Sequence, residues 1–163
     1  MKKVMFVFSI ILILVFIYIT KSPAGITPLE LIEGYEEEWG IKLAEPKEFE
    51  QIWQSKYLSH GDGEWYNTLI YEDFISTEES GMSVVNGENI EQVQEYVADF
   101  VSRTQNAYSG DEKKEVDVMF KDNPIHVEIG DYYFHRSENN DFDTFTALYD
   151  NEEKKVHTLV WHQ

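Results

Sequence analysis

The sequence predicts an α+β domain behind an N-terminal transmembrane helix, and three observations carry that expectation. A single uninterrupted apolar run fills residues 4–19, and nothing else in the chain resembles it. From residue 27 to residue 104 apolar residues recur mostly at helical spacing, with one strand-like stretch between. Beyond residue 114 short runs rich in branched and aromatic residues alternate with turn-forming clusters, the pattern of an antiparallel β-meander. About three helices packed on one face of a meander of about five to six strands complete the expected architecture.

The apolar run VMFVFSIILILVFIYI carries no charge over sixteen residues, and only Ser9 and Tyr18 have polar side chains. At about 1.5 Å per residue it reaches about 24 Å, slightly short of a roughly 30 Å hydrocarbon core. Lys3 and Lys21 can snorkel and Tyr18 can sit at the interface, so residues 1–21 are read as a single-pass anchor. The alternative is a cleaved signal peptide, with Lys2 and Lys3 as its basic start and Ser22, Pro23 and Ala24 preceding cleavage before Gly25. In both readings the positive-inside rule keeps the N-terminus cytoplasmic, because two lysines precede the run and only Lys21 closely follows it. The expected location is therefore the cell membrane with an extracytoplasmic C-terminal domain, or the exterior if the segment is cleaved near Ala24.

The chain holds no cysteine, which excludes a disulfide scaffold, a zinc–thiolate finger, a cysteine nucleophile and a lipidated cysteine. Its 13 basic and 31 acidic residues give a net charge of −18 over 163 residues. Too little positive charge is present to displace counterions from a phosphate backbone, so nucleic acid is not an expected partner. Without residues 1–21 the balance is 10 against 31, or −21. Such a surface is repelled by anionic headgroups and wall polymers and attracts cations or a basic partner. Acids scattered in this way also serve solubility alone.

Residues 22–26 form a short linker, and residues 27–163 read as one domain because no internal linker is long enough to divide them. Thr27, Pro28 and Glu30 mark a helix start, with a threonine cap, a proline at the first helical position and a glutamate completing a capping box. Leu31, Ile32, Tyr35 and Trp39 supply its apolar side, and Gly40 ends it. Pro46 opens an expected second helix, in which Phe49, Ile52, Trp53 and Tyr57 fall at i, i+3, i+4 and i+8 on one face. Gly61, Asp62 and Gly63 stop it, residues 64–75 read as a strand, and residues 76–87 are turn-like. Asn89 with Gln92 caps a third helix carrying Ile90, Val93, Val97, Phe100, Val101 and Thr104 along one side. After the break at residues 109–111, strands are expected at 115–121, 124–129, 132–136, 142–149 and 156–162, separated by turn residues.

Four constellations have chemical potential. His60, Asp62 and Glu64 place an imidazole and two carboxylates at alternate positions of HGDGE, a candidate divalent-cation or acid–base site; the same residues also suit a helix-to-strand turn. Residues 137–143, SENNDFD, form an oxygen-rich loop of the kind hard cations use, without the glycine and terminal glutamate of an EF-hand. His126, His135, His157 and His162 all lie on expected strands, but alternation puts His157 and His162 on opposite faces, against a four-histidine cluster. If Ile125, Val127 and Ile129 face the core, His126 and Glu128 face water. The aromatics Trp65, Tyr66, Tyr132, Tyr133, Phe134, Tyr149 and Trp161 suit a carbohydrate or peptide platform, but strands favour aromatics and core packing is the default reading. HExxH, GxSxG, P-loop and GxGxxG patterns do not occur, and nothing selects an acid pair for glycoside hydrolysis.

HGDGEWY at 60–66, YYF at 132–134, FTALYD from 145 and KKVHTLVWHQ ending at 163 resemble the pattern of small exported proteins of Gram-positive bacteria. Those proteins pair a hydrophobic N-terminus with a helix, a HGDGE-type turn into a strand and a closing hairpin around a YD turn. The resemblance covers the second half of the domain and that one turn, and implies an extracytoplasmic α+β domain without implying a reaction. The expected function is a membrane-anchored binding or interaction module without catalytic activity, acting on a basic protein or an envelope component, with no cofactor. The alternatives are a metal-dependent protein or hydrolase centred on His60, Asp62 and Glu64, or an acidic inhibitor or immunity-type protein.

Overall fold

The computed structural model describes residues 26–56, 62–73 and 79–163. The apolar run and the expected anchor lie outside them, and among the described residues no helix is long and apolar enough to cross a membrane.

Helix α1 (Pro28–Trp39) forms as its sequence dictates. The Thr27 side chain accepts the Glu30 N–H at 3.2 Å, and the Glu30 carboxylate accepts the Thr27 N–H at 2.8 Å, a reciprocal capping box. Gly40 closes the helix at φ +75°, donating its N–H to the Glu36 carbonyl. Its lack of a side chain also lets Arg136 reach in and donate to the Trp39 carbonyl at 2.9 Å.

Strands β1 (Glu48–Gln54), β2 (Gly63–Ile70) and β3 (Ser83–Val84) follow, then helices α2 (Ile90–Ala107) and α3 (Gly110–Asp122). Strands β4 (Tyr132–Glu138), β5 (Asp143–Asp150) and β6 (Lys155–His162) complete the described elements. All pairings are antiparallel, in the order β1-β2-β6-β5-β4-β3. Only β4-β5-β6 is a meander; β6 runs back between β5 and β2, so the last strand joins the two halves of the chain at the centre of the sheet.

Both faces of the sheet are covered, which corrects the expectation of helices on one face. On one side Ile32, Tyr35 and Trp39 of α1 pack with Leu69, Phe145, Ala147, Val156 and Val160. A buried polar chain ties the layers there: Asn67 donates to the Tyr35 hydroxyl at 3.0 Å, which lies 2.9 Å from Thr158 Oγ1. On the other side Val97 and Phe100 of α2 and Met119 and Phe120 of α3 cover Tyr66, Leu159 and Trp161. Burial of large side chains at about 1.5–3 kcal/mol each makes these two interfaces the main source of stability.

Two elements differ from their sequence pattern for identifiable reasons. Residues 46–57 were expected as a helix, yet β1 is a strand whose register shifts between Gln51 and Trp53. Phe49 joins the α1 face, whereas the bulge turns both Ile52 and Trp53 to the α2–α3 face. Two faces and a bulge thereby imitate helical spacing. Residues 115–121 were expected as a strand because Val116 and Val118 alternate with acids, but α3 buries Val116 with Met119 and Phe120 at i, i+3 and i+4 and leaves Val118 54% exposed. Residues 124–129, expected as a strand, form none, because no described strand of the sheet pairs with them; Ile125 and Val127 still pack inward and His126 faces out, while Ile129, expected in the core, is 68% exposed.

Candidate functional site

A cleft of about 380 Å³ opens where α2 and α3 leave the sheet uncovered. Its floor is Tyr66 and Thr68 of β2 and His157 of β6. β2 and β6 pair with Thr68 opposite His157 and Tyr66 opposite Leu159, so alternation puts all three polar side chains on one face. Glu50 and Ile52 of β1 form one wall, residues 122–124 and His126 the other, and Asp150, Glu153 and Lys155 of the β5–β6 hairpin close one end.

The floor is held by one buried hydrogen bond, 2.9 Å between the Tyr66 hydroxyl and His157 Nδ1. Tyr66 is 0% and His157 6% exposed. Phe120 stacks on the Tyr66 ring with centroids 6.2 Å apart and fixes its plane. Burial holds the Tyr66 phenol well above its ordinary range, with the Glu50 and Glu153 carboxylates acting in the same direction. Burial pulls the His157 imidazole down to about 4; Lys155 adds to this, and Asp150 and Glu153 oppose it. At neutral pH the pair is therefore uncharged. Nδ1 either accepts from the phenol or donates to it, so Nε2, which has no hydrogen-bond partner among the described residues, carries a proton or a lone pair accordingly.

The rim is charged. Glu50, Asp122, Asp150 and Glu153 face one cation, Lys155, whose Nζ lies 2.6 Å from Glu153 Oε2. Asp150 also receives the backbone N–H groups of Glu152 and Glu153 at 2.9 and 2.7 Å, which fixes the hairpin turn. Four carboxylates around an uncharged floor favour a cationic group entering from solvent.

Of the residues singled out in HGDGE, His60 lies outside the described residues, and Asp62 is exposed just before β2. Glu64 is 5% exposed, and its carboxylate accepts the Trp53 indole N–H at 3.1 Å and the Tyr108 hydroxyl. It thereby ties β1 and β2 to the end of α2. Among the described residues no three His, Asp or Glu side chains gather as a metal site. In the SENNDFD loop, Ser137 bonds Asp141 and Asn139 bonds Asp143, around a turn of 3-10 helix at Asn139–Asp141.

The four histidines expected on strands go to separate places, and His126 lies on none. His157 and His162 lie on opposite faces, as alternation requires. His162 lies between Trp39 and Trp65 on the α1 side, tilted against the first ring and edge-on to the second, with Asp143 at 3.2 Å and Glu38 at 3.3 Å. His135 lies flat on Tyr96, ring centroids 3.6 Å apart, and bonds Thr146. His126 faces out at the cleft. Of the seven aromatics considered for a platform, Tyr66, Tyr149 and Trp161 are core residues, and Trp65, Tyr132, Tyr133 and Phe134 are half-buried against the core.

Sequence reasoning missed the Tyr66–His157 pair. The inward alternation of His157 beside Leu159 and Trp161 was the available signal; the adjacency of β2 and β6, separated by about half the chain, was not. Comparison with protein-family models, with curated proteins and with solved structures finds no match to this chain.

Proposed function

We propose that this chain is a membrane-anchored, extracytoplasmic binding module whose partner is basic and whose contact surface includes the acidic cleft. The observation that carries the reading is the cleft itself, a concave polar site with four carboxylates on its rim over a buried, uncharged imidazole. The apolar run at 4–19, preceded by Lys2 and Lys3, supports delivery to the outer side of the membrane, and the −21 balance beyond residue 21 supports a cationic partner. An inhibitor that blocks a basic target would make the same contact, so both belong to one reading.

Photocrosslinking of full-length protein in its own membranes tests this, with the Glu50→Gln/Asp122→Asn double variant alongside. A basic protein or envelope component is expected to be recovered with the parent chain and lost with the variant. Its association is expected to slow steeply between about 50 mM and about 0.5 M salt. Recovery that ignores both the substitutions and salt would overturn the reading.

A further inference from the structure

Strand β1 is an edge strand seven residues long, and among the described residues only β2 pairs with it. Among the described residues its other edge carries backbone donors and acceptors with no ladder partner, the surface to which an extended peptide can add as a further strand. The edge bears Glu48 and Glu50, both exposed, and Glu50 together with Ile52 forms the near wall of the acidic cleft. A strand added beside β1 lies about 4.8 Å farther out, and its alternate side chains stand over the same sheet face as the cleft. A lysine there, about 6 Å long when extended, passes its ammonium over Glu50 into the mouth of the cleft.

Charge decides between the possible occupants of this edge. A second copy pairing through its own β1 sets Glu48 and Glu50 against acids of the same kind, which like charges across a ladder disfavour, whereas lysines opposite them are favoured.

We propose that the basic partner engages as an extended, lysine-bearing segment that adds to the outer edge of β1 and passes one ammonium side chain over Glu50 at the mouth of the acidic cleft. This rests on the binding reading above and assigns it a partner conformation.

The probe is a ten-residue peptide alternating lysine with threonine, added to full-length protein in detergent micelles. Two analogues N-methylated on one or the other set of alternate backbone nitrogens serve as controls. The expected result has three parts: peptide-dependent slowing of amide exchange in β1, an affinity loss of about tenfold for one N-methylated analogue, and a loss of several-fold for Glu50→Gln. Binding that depends on Glu50 and Asp122, with unchanged β1 exchange and equal affinity for both analogues, overturns strand addition and leaves the acidic-cleft reading standing. No binding, or binding indifferent to both substitutions, overturns the two together. Slowing of β1 exchange that grows with protein concentration in the absence of peptide assigns the edge to a second copy and overturns this inference alone.

Discussion

His157 is a base held uncharged against a sheet face, and that makes the stability of the domain depend on pH. Its pKa is about 4 in the folded protein, against about 6.5 in an unfolded chain. As pH falls below about 6.5 the unfolded state takes up a proton that the folded state refuses, so stability present at neutral pH drains away toward pH 4. The full effect is on the order of 3 kcal/mol. Urea denaturation at pH 7.5 and at pH 5 is expected to show about 2 kcal/mol of this loss in the parent protein and a much smaller one in His157→Gln. An equal loss in both would remove His157 from the account. Burial also lowers His135, with Arg103 acting alongside and Asp141 and Asp99 opposing, so a residual slope of the same sign is expected in the variant. Alternation along one strand sufficed to place the His157 side chain, but not to name what it touches. Its partner comes from a strand remote in sequence, whereas the Glu30 carboxylate and the Thr27 cap were legible because the contact spans one helical turn.

Elements were legible where a single periodicity ruled them. α1, α2, β2 and the three strands of the meander follow their patterns because each has one partner surface on the side its apolar residues occupy. β1 and α3 did not follow the simplest pattern, since the bulge moves Ile52 and Trp53 to one face and the exposed Val118 breaks the correspondence between apolar and buried. The end of α1 shows how local chemistry meets tertiary contact. Gly40 sits at φ +75°, and a Cβ there would stand 3.3 Å from the Arg136 guanidinium that holds the Trp39 carbonyl. Gly40→Ala is therefore expected to destabilise the domain by about 1–2 kcal/mol. A drop of several degrees in the thermal midpoint checks this, and an unchanged midpoint contradicts the left-handed cap.

The order of strands in the sheet was the least legible level, because hairpin signals identify neighbours in sequence and say nothing of which distant edges meet. The decisive pairing is β2 with β6, eight residues on each side, from Gly63 opposite His162 to Ile70 opposite Lys155. It joins the hairpin β1–β2 to the meander and builds the floor of the cleft from both. Removing residues 155–163 is accordingly expected to abolish cooperative unfolding altogether, with dispersed amide NMR resonances lost throughout β2 and β5. A truncated chain that kept a sharp transition would show that β6 is dispensable. The same placement also sets a schedule. A chain emerging N-terminus first from a ribosome presents this central strand after every other described strand. Until it arrives the β1–β2 and β4–β5 hairpins lack their common partner, which makes a prematurely terminated copy ready substrate for proteases.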